Sequence, residues 1–199
     1  MGKLSQAQIK ESHVAGVDVS YFDEQGIACA VLLSFPDLRL LGKSFYCGTP
    51  GFPYIPGFLA LREGILCALA VRKLDPKPDL LFVDGAGSAH PYNYGLATFL
   101  EEELDVPTIG ITKKPFVGEF TPPPIERGSF SYLYLNGVKI GAVLRTRDGV
   151  RELFVSPGKR LSIEEAVRWT LLLSQYRKPE PIRLAHQYSR LACQNRRIA

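Results

Sequence analysis

Three acidic residues interrupt stretches that are otherwise apolar, and they are the first candidates for chemistry. Asp18 stands inside Val14-Ala15-Gly16-Val17-Asp18-Val19. Glu63 sits between Arg62 and Gly64 in a segment rich in Leu, Ile and Ala. Asp84 closes the run Leu80-Leu81-Phe82-Val83-Asp84 and precedes Gly85-Ala86-Gly87. A carboxylate in apolar surroundings is costly unless it is hydrogen-bonded, paired or bound to a metal. Each acid also has an ordinary reading. Asp18 can be a strand-end acid bonded to a turn, Glu63 one half of a surface salt bridge, and Asp84 the opener of an Asp-Gly loop. Together they carry more. Carboxylates that converge on one sheet edge repel each other unless a divalent cation is present, and magnesium takes oxygen ligands while keeping several waters. Bound metal supplies what phosphodiester cleavage needs, an activated water and a stabilised leaving oxygen.

Other side chains are candidates around these acids. His90 lies beyond the Asp84 loop and can orient or protonate a reacting group, or simply decorate a surface. Lys113 and Lys114 follow a short apolar run and can contact a phosphate or form a solvated pair. Arg62 can also reach a phosphate. In Phe52-Pro53-Tyr54-Ile55-Pro56-Gly57, two prolines stiffen a segment that holds Tyr54 and Ile55 between them. A rigid apolar tip is suited to unstacking bases. The competing reading is a proline-fixed helix entry with aromatic packing.

The elements that must position these residues follow from periodicity and turn signals. His13 to Phe22, Gly26 to Phe35 and Leu38 to Tyr46 read as strands joined by short turns, an antiparallel meander. A helix over Gly57 to Leu74 is apolar on nearly every side, which predicts burial in the middle of the protein. Leu80 to Asp84 reads as a parallel strand covered on both faces. A helix around Leu96 to Leu104 and a strand at Thr108 to Thr112 complete a β-α-β unit. Asn136-Gly137 and Asp148-Gly149 predict two hairpins, the first between Phe130 to Leu135 and Val138 to Thr146, the second leading into Val150 to Val155. Ser162-Ile163-Glu164-Glu165 is a capping box for a helix to about Tyr176. Pro179 to Pro181 read as extended, before a last helix at Leu184 to Gln194. This order is that of an α/β, ribonuclease H-like mixed sheet flanked by helices.

Bulk properties bound the answer without deciding it. The chain has 199 residues, enough for one domain, and is 46% apolar and 22% charged. Its net charge of +4 permits nucleic-acid binding without demonstrating it. The four cysteines form no C-x-x-C pair, which argues against a zinc ribbon, and their sparse use suits a reducing compartment. Cys29 and Cys67, in apolar stretches, are expected to be buried thiols. The amino terminus has no apolar signal core, and Gln6 breaks the myristoylation pattern. No apolar run is long enough to span a bilayer, so the expected location is cytoplasmic, with no membrane association.

Five blocks, in order along the chain, resemble the endonuclease V family: GVDVSY around Asp18, PYIPGFLALRE from Pro53 to Glu63, VDGAGSAHP from Val83 to Pro91, TIGITKK from Thr108 to Lys114, and PEPIRLAH from Pro179 to His186. The resemblance implies one ribonuclease H-like catalytic domain over residues 1–199; the polar residues 1–12 are expected to be loosely ordered. It implies a magnesium-dependent phosphodiesterase, with manganese able to substitute, that recognises hypoxanthine in DNA. The cut is then expected at the second phosphodiester 3′ to the lesion, leaving 3′-hydroxyl and 5′-phosphate ends. Asp18, Glu63 and Asp84 match the family's acidic metal and catalytic positions, and His90 and Lys113 its active-site histidine and lysine. Tyr54, with Pro53, Ile55 and Pro56, matches the wedge that separates strands at the lesion. Arg62 and His186 match further positions tied to activity, and Gly85 a backbone position beside the flipped base. The resemblance departs at Ala86, where family members usually carry His, a change bearing on substrate preference or metal-site tuning. The chain is expected to be a monomer whose partner is DNA containing deaminated bases. Two alternatives stand beside it: an inosine-specific ribonuclease on the same scaffold, and a non-catalytic nucleic-acid-binding module.

Overall fold

The computed structural model describes residues 12–198. The expected loose amino-terminal segment lies outside the described residues, except that Ser12 already opens the first strand. Strands β1 (Ser12–Phe22), β2 (Gln25–Phe35) and β3 (Leu40–Gly48) form the expected antiparallel meander. Phe22 pairs with Gln25, so β1 and β2 are joined by a two-residue turn with Asp23 at a φ of 51°.

Strand β4 (Leu80–Asp84) then adds parallel to β1, and β5 (Thr108–Thr112) parallel to β4, with helix α2 (Leu96–Leu104) crossing between them. Beyond β5 the sheet continues antiparallel through β8 (Leu153–Pro157), β7 (Val138–Leu144) and β6 (Phe130–Leu135). The full order is β3-β2-β1-β4-β5-β8-β7-β6. The acid-bearing strands are therefore neighbours near the middle of the sheet.

Alternation along the strands sends side chains to two cores. Helix α1 (Leu59–Val71) and α2 cover Ala15, Val17, Leu81 and Val83. The opposite face carries Val14, Phe82, Ile109 and Ile111 under helix α3 (Ile163–Leu172) and the start of helix α4 (Glu180–Ile198). By the same alternation, Asp18 shares its face with Val14, and Asp84 with Leu80 and Phe82. Both acids point toward α4. Gly16 lets α4 come that close: a Cβ there would lie 2.3 Å from the Pro181 carbonyl.

Four local expectations are corrected. Helix α1 is not buried all round, because Phe58, Leu61 and Ile65 face outward, Ile65 with 55% exposure. The helix packs on the sheet and α2 and leaves this third side open. Leu38 belongs to the β2–β3 turn, at a φ of 54°, and not to β3. Asp148-Gly149 does not form a two-residue hairpin: β7 ends at Leu144 and β8 begins at Leu153, paired to each other. The intervening loop is held by a bond from Gly149 N to the Ile125 carbonyl in the proline-rich segment, so tertiary contact overrides the dipeptide's preference. Finally, Pro179 to Pro181 are not all extended. Glu180 and Pro181 already form the first turn of α4, where a proline's missing N–H costs nothing.

Candidate active site

Parallel pairing of β1 and β4 runs to Val17 opposite Val83, and the next residue on each strand is an acid. The ligand atoms of Asp18, Asp84 and His186 all lie within 4.8 Å of one another. Asp18 Oδ2 is 2.8 Å from His186 Nδ1 and 3.2 Å from Ser189 Oγ, which in turn meets Ser20 Oγ at 2.8 Å. With Asp18 ionised, Nδ1 carries the proton of that bond and Nε2 keeps its lone pair. Asp84 Oδ2 accepts a hydrogen bond from Lys178 Nζ at 2.7 Å. Burial, then the Asp84 charge, raises the Asp18 carboxyl above its ordinary range, against the lowering influence of His186 and Lys178. Two crowded carboxylates and an imidazole are a donor set that fits a divalent cation.

Glu63 approaches from α1 on the other side of β1. Its Oε1 accepts a 2.7 Å hydrogen bond from Tyr21, and Arg62 lies over the Tyr21 ring at 4.5 Å. Arg62 also donates to the Phe52 carbonyl at 2.9 Å, tying α1 to the proline-stiffened loop. Burial above all pushes Glu63 up to about 7, with the charges of Asp18 and Asp84 adding to it and the Tyr21 bond opposing. Glu63 is thus electrostatically coupled to the two aspartates, although it stands outside the close group of three.

A cavity of about 320 Å³ opens beside the acids. Tyr54, Ile55, Pro56 and Gly57 form one side; Gly85, Ala86 and Leu96 lie across from them, with His90, Lys114 and Phe116 also lining it. His90 is buried, donates from Nε2 to the Gly57 carbonyl at 2.9 Å and accepts at Nδ1 from Tyr92 N at 3.3 Å. Its ring stacks on Phe116, 5.5 Å between centroids. Both nitrogens are engaged inside the protein, so in this structure His90 shapes the pocket wall. The aromatic packing at the helix entry is supplied by Phe52 and Phe58. Tyr54 instead stands 68% exposed, with Ile55 beside it at 41%. Ala86 lines the cavity, where a histidine would add bulk and polarity.

Lys113 follows β5 and lines a neighbouring groove with Lys114, Arg151 and Arg177. The cation paired with Asp84 is Lys178, which the sequence reading did not single out. A lysine before a proline looks like any solvated lysine, and its partner is far away in the chain. Tyr21 and Ser189 were missed too. The one available signal was that His186 and Ser189 are three apart on a helix, and so share a face.

An α/β mixed sheet with paired acids at the ends of adjacent parallel strands and an aromatic-rimmed cavity beside them defines a ribonuclease H-like nuclease. The endonuclease V family model matches residues 2–187. Endonuclease V of Geotalea uraniireducens is 46% identical over 188 residues, covering 94% of this chain and 80% of its own. The endonuclease V structure from Streptomyces avermitilis superposes with a TM-score of 0.88 at 38% identity, over 92% of this chain and 82% of that one. The Ciona intestinalis endonuclease V, solved with a 23mer DNA containing an inosine followed by a ribo-adenosine, shares the fold at a TM-score of 0.79 and 23% identity, over 94% and 88% of the two chains. The chain belongs to the endonuclease V family and is an endonuclease, which sets aside the non-catalytic module. Among the described residues, no helix is long and apolar enough to cross a membrane.

Proposed function

We propose that this endonuclease acts in DNA repair on deaminated purines, hydrolysing the second phosphodiester 3′ to a hypoxanthine and leaving 3′-hydroxyl and 5′-phosphate ends. The observation that carries the reading is the convergence of Asp18, Asp84 and His186 beside a cavity whose rim bears an exposed tyrosine. The DNA-bound Ciona relative, with inosine in its ligand, supports the substrate class.

Tyr54, braced by Pro53 and Pro56, stacks where a base has left the duplex, and Ile55 widens the apolar tip. The extruded base enters the cavity between Phe116 and the Gly85 backbone. A Cβ at Gly85 would press on Leu96 at 3.1 Å, so the bare backbone keeps this wall in place. His90, bonded through both ring nitrogens, fixes Gly57 and Phe116 around the base. Asp18 and Asp84, with Glu63 close by, would hold magnesium, or manganese in its place, which would supply an acidified water and offset charge on the phosphate. Asp18 orients the His186 ring toward the same point. Arg62 holds Tyr21 and, through it, Glu63. Lys113 helps neutralise the charge developing at the cut phosphate, and Lys114 and Arg151 along the same groove take flanking phosphates. The setting in which it acts is then a reducing, cytoplasmic one, as the sparse use of cysteine suits.

The test is to offer the pure protein matched inosine and guanosine strands, as DNA and as RNA, with magnesium or with EDTA, and to map the cut. Magnesium-dependent cutting of inosine DNA at the second 3′ phosphodiester supports the proposal. Preference for the RNA strand would move the substrate to inosine-containing RNA. Cutting in EDTA, or of the guanosine control, would overturn the proposal.

A further inference from the structure

Lys178 is held by the protein on both sides. On one side, Arg177 donates to the carbonyls of Arg151 and Glu152 at 2.9 Å each, and its own carbonyl accepts from Thr146 at 2.7 Å. On the other, Glu180 N donates to Leu173 at 2.9 Å, and Pro181 rests on Gly16. The ammonium between these anchors is therefore aimed, not swept through solvent. Its side chain is 14% exposed and that of Asp84 23%, so this is a largely buried ion pair and not a surface one.

The hydrogen bonds divide the oxygens of the two aspartates. Oδ2 of Asp18 is taken by His186 and Ser189, and Oδ2 of Asp84 by Lys178. Among the described residues no hydrogen bond reaches Oδ1 of either acid. The site thus has one uncommitted oxygen on each carboxylate and one fixed positive charge beside them.

Resting on the reading of Asp18 and Asp84 as metal ligands, we propose that Lys178 is a built-in monovalent cation of the active site. It stays on Asp84 Oδ2, leaves both Oδ1 atoms open, and would weaken divalent-ion binding by like-charge repulsion. It is a positioning residue: it holds the Asp84 carboxylate before metal arrives and sets how much metal the enzyme needs. Like charges a few ångströms apart in a partly buried site interact strongly, so neutralising the lysine should tighten divalent binding by about tenfold or more.

The experiment titrates Mn2+ into the full chain without nucleic acid, at mildly alkaline pH, reading free Mn2+ by its paramagnetic resonance signal. Lys178→Met and Lys178→Gln should each bind Mn2+ about tenfold more tightly than the wild type, and Lys178→Arg should stay close to it. In EDTA the Met and Gln variants should melt below the wild type, and Mn2+ should raise their melting temperature by more. Circular dichroism confirms which variants are folded, and either neutral variant suffices. Equal or weaker Mn2+ binding by a folded neutral variant overturns the proposal while leaving the metal site intact. Asp84→Asn separates the underlying reading: if the wild type and Asp84→Asn bind Mn2+ alike, the metal site itself is wrong and this inference falls with it.

Discussion

At the residue scale, the cost of burying charge made the site legible. Asp18, Glu63 and Asp84 were conspicuous because each interrupts an apolar stretch, and the structure puts the aspartates together with Glu63 coupled to them. Lys178 was illegible because nothing local distinguishes it; its meaning comes only from a partner on β4. Glu63 yields a prediction in pH. Its carboxyl is raised from 4.5 to about 7, so the folded protein holds this proton more tightly than the unfolded chain does. The resulting stability is present below about pH 4.5 and is lost as pH rises to about 7. At 1.36 kcal/mol per unit the loss is roughly 3 kcal/mol at most. In EDTA, Glu63→Gln should therefore become more stable relative to wild type across that window, measured by urea unfolding at several pH values. Superimposable curves would contradict the burial argument. Tyr54 gives a second prediction. Base stacking is worth roughly 1–3 kcal/mol by alanine substitution, so Tyr54→Ala should lose about ten- to a hundredfold in affinity for an inosine duplex. Because the ring is 68% exposed, its melting temperature should not move. Tyr54→Phe should be nearly silent if stacking dominates. A stable Tyr54→Ala protein with full affinity would remove the wedge.

At the element scale, strands were legible where alternation was strong and turns where the chain had only one way to close. Asn136-Gly137 forms its hairpin with both residues at positive φ, 51° and 78°. Asp148-Gly149 carries the same signal and is drawn into a wider loop by the proline segment, information that no dipeptide contains. The capping box was readable because it is entirely local: Ser162 Oγ accepts from Glu165 N at 3.1 Å, and Glu165 accepts from Ser162 N at 2.8 Å. Ser162→Ala should cost about 1 kcal/mol and lower the melting temperature by about 2–4 °C, without changing cleavage of an inosine duplex. The seat of α4 on Gly16 was not readable, since it joins distant segments. Gly16→Ala forces a Cβ to within 2.3 Å of the Pro181 backbone. It should destabilise by about 3 kcal/mol or more, the upper end for overpacking. It should also cut activity in whatever fraction stays folded, because α4 carries His186 and the chain just before it carries Lys178. A stable and fully active Gly16→Ala protein would show that α4 does not need this seat.

At the scale of the whole molecule, the fold class followed from the order of elements, three antiparallel strands, then a helix and a β-α-β unit. The position of the site followed from the parallel strands, whose carboxyl ends are where such sheets place chemistry. What the order could not supply was the depth of the cavity or the face it opens on. Those depend on His90, Phe116 and Gly57 meeting across three loops. On the proposed function, one apparatus finds the lesion and another cuts: the Tyr54 rim and cavity bind, while Asp84 and its neighbours act on the phosphate. The most direct test measures binding and single-turnover cutting of the same inosine duplex by wild type and Asp84→Asn, in magnesium, with a guanosine duplex as control. Asp84→Asn should keep its preference for the inosine duplex and lose cutting almost entirely. Near-normal cutting by folded Asp84→Asn, or loss of inosine preference in step with loss of cutting, would contradict it.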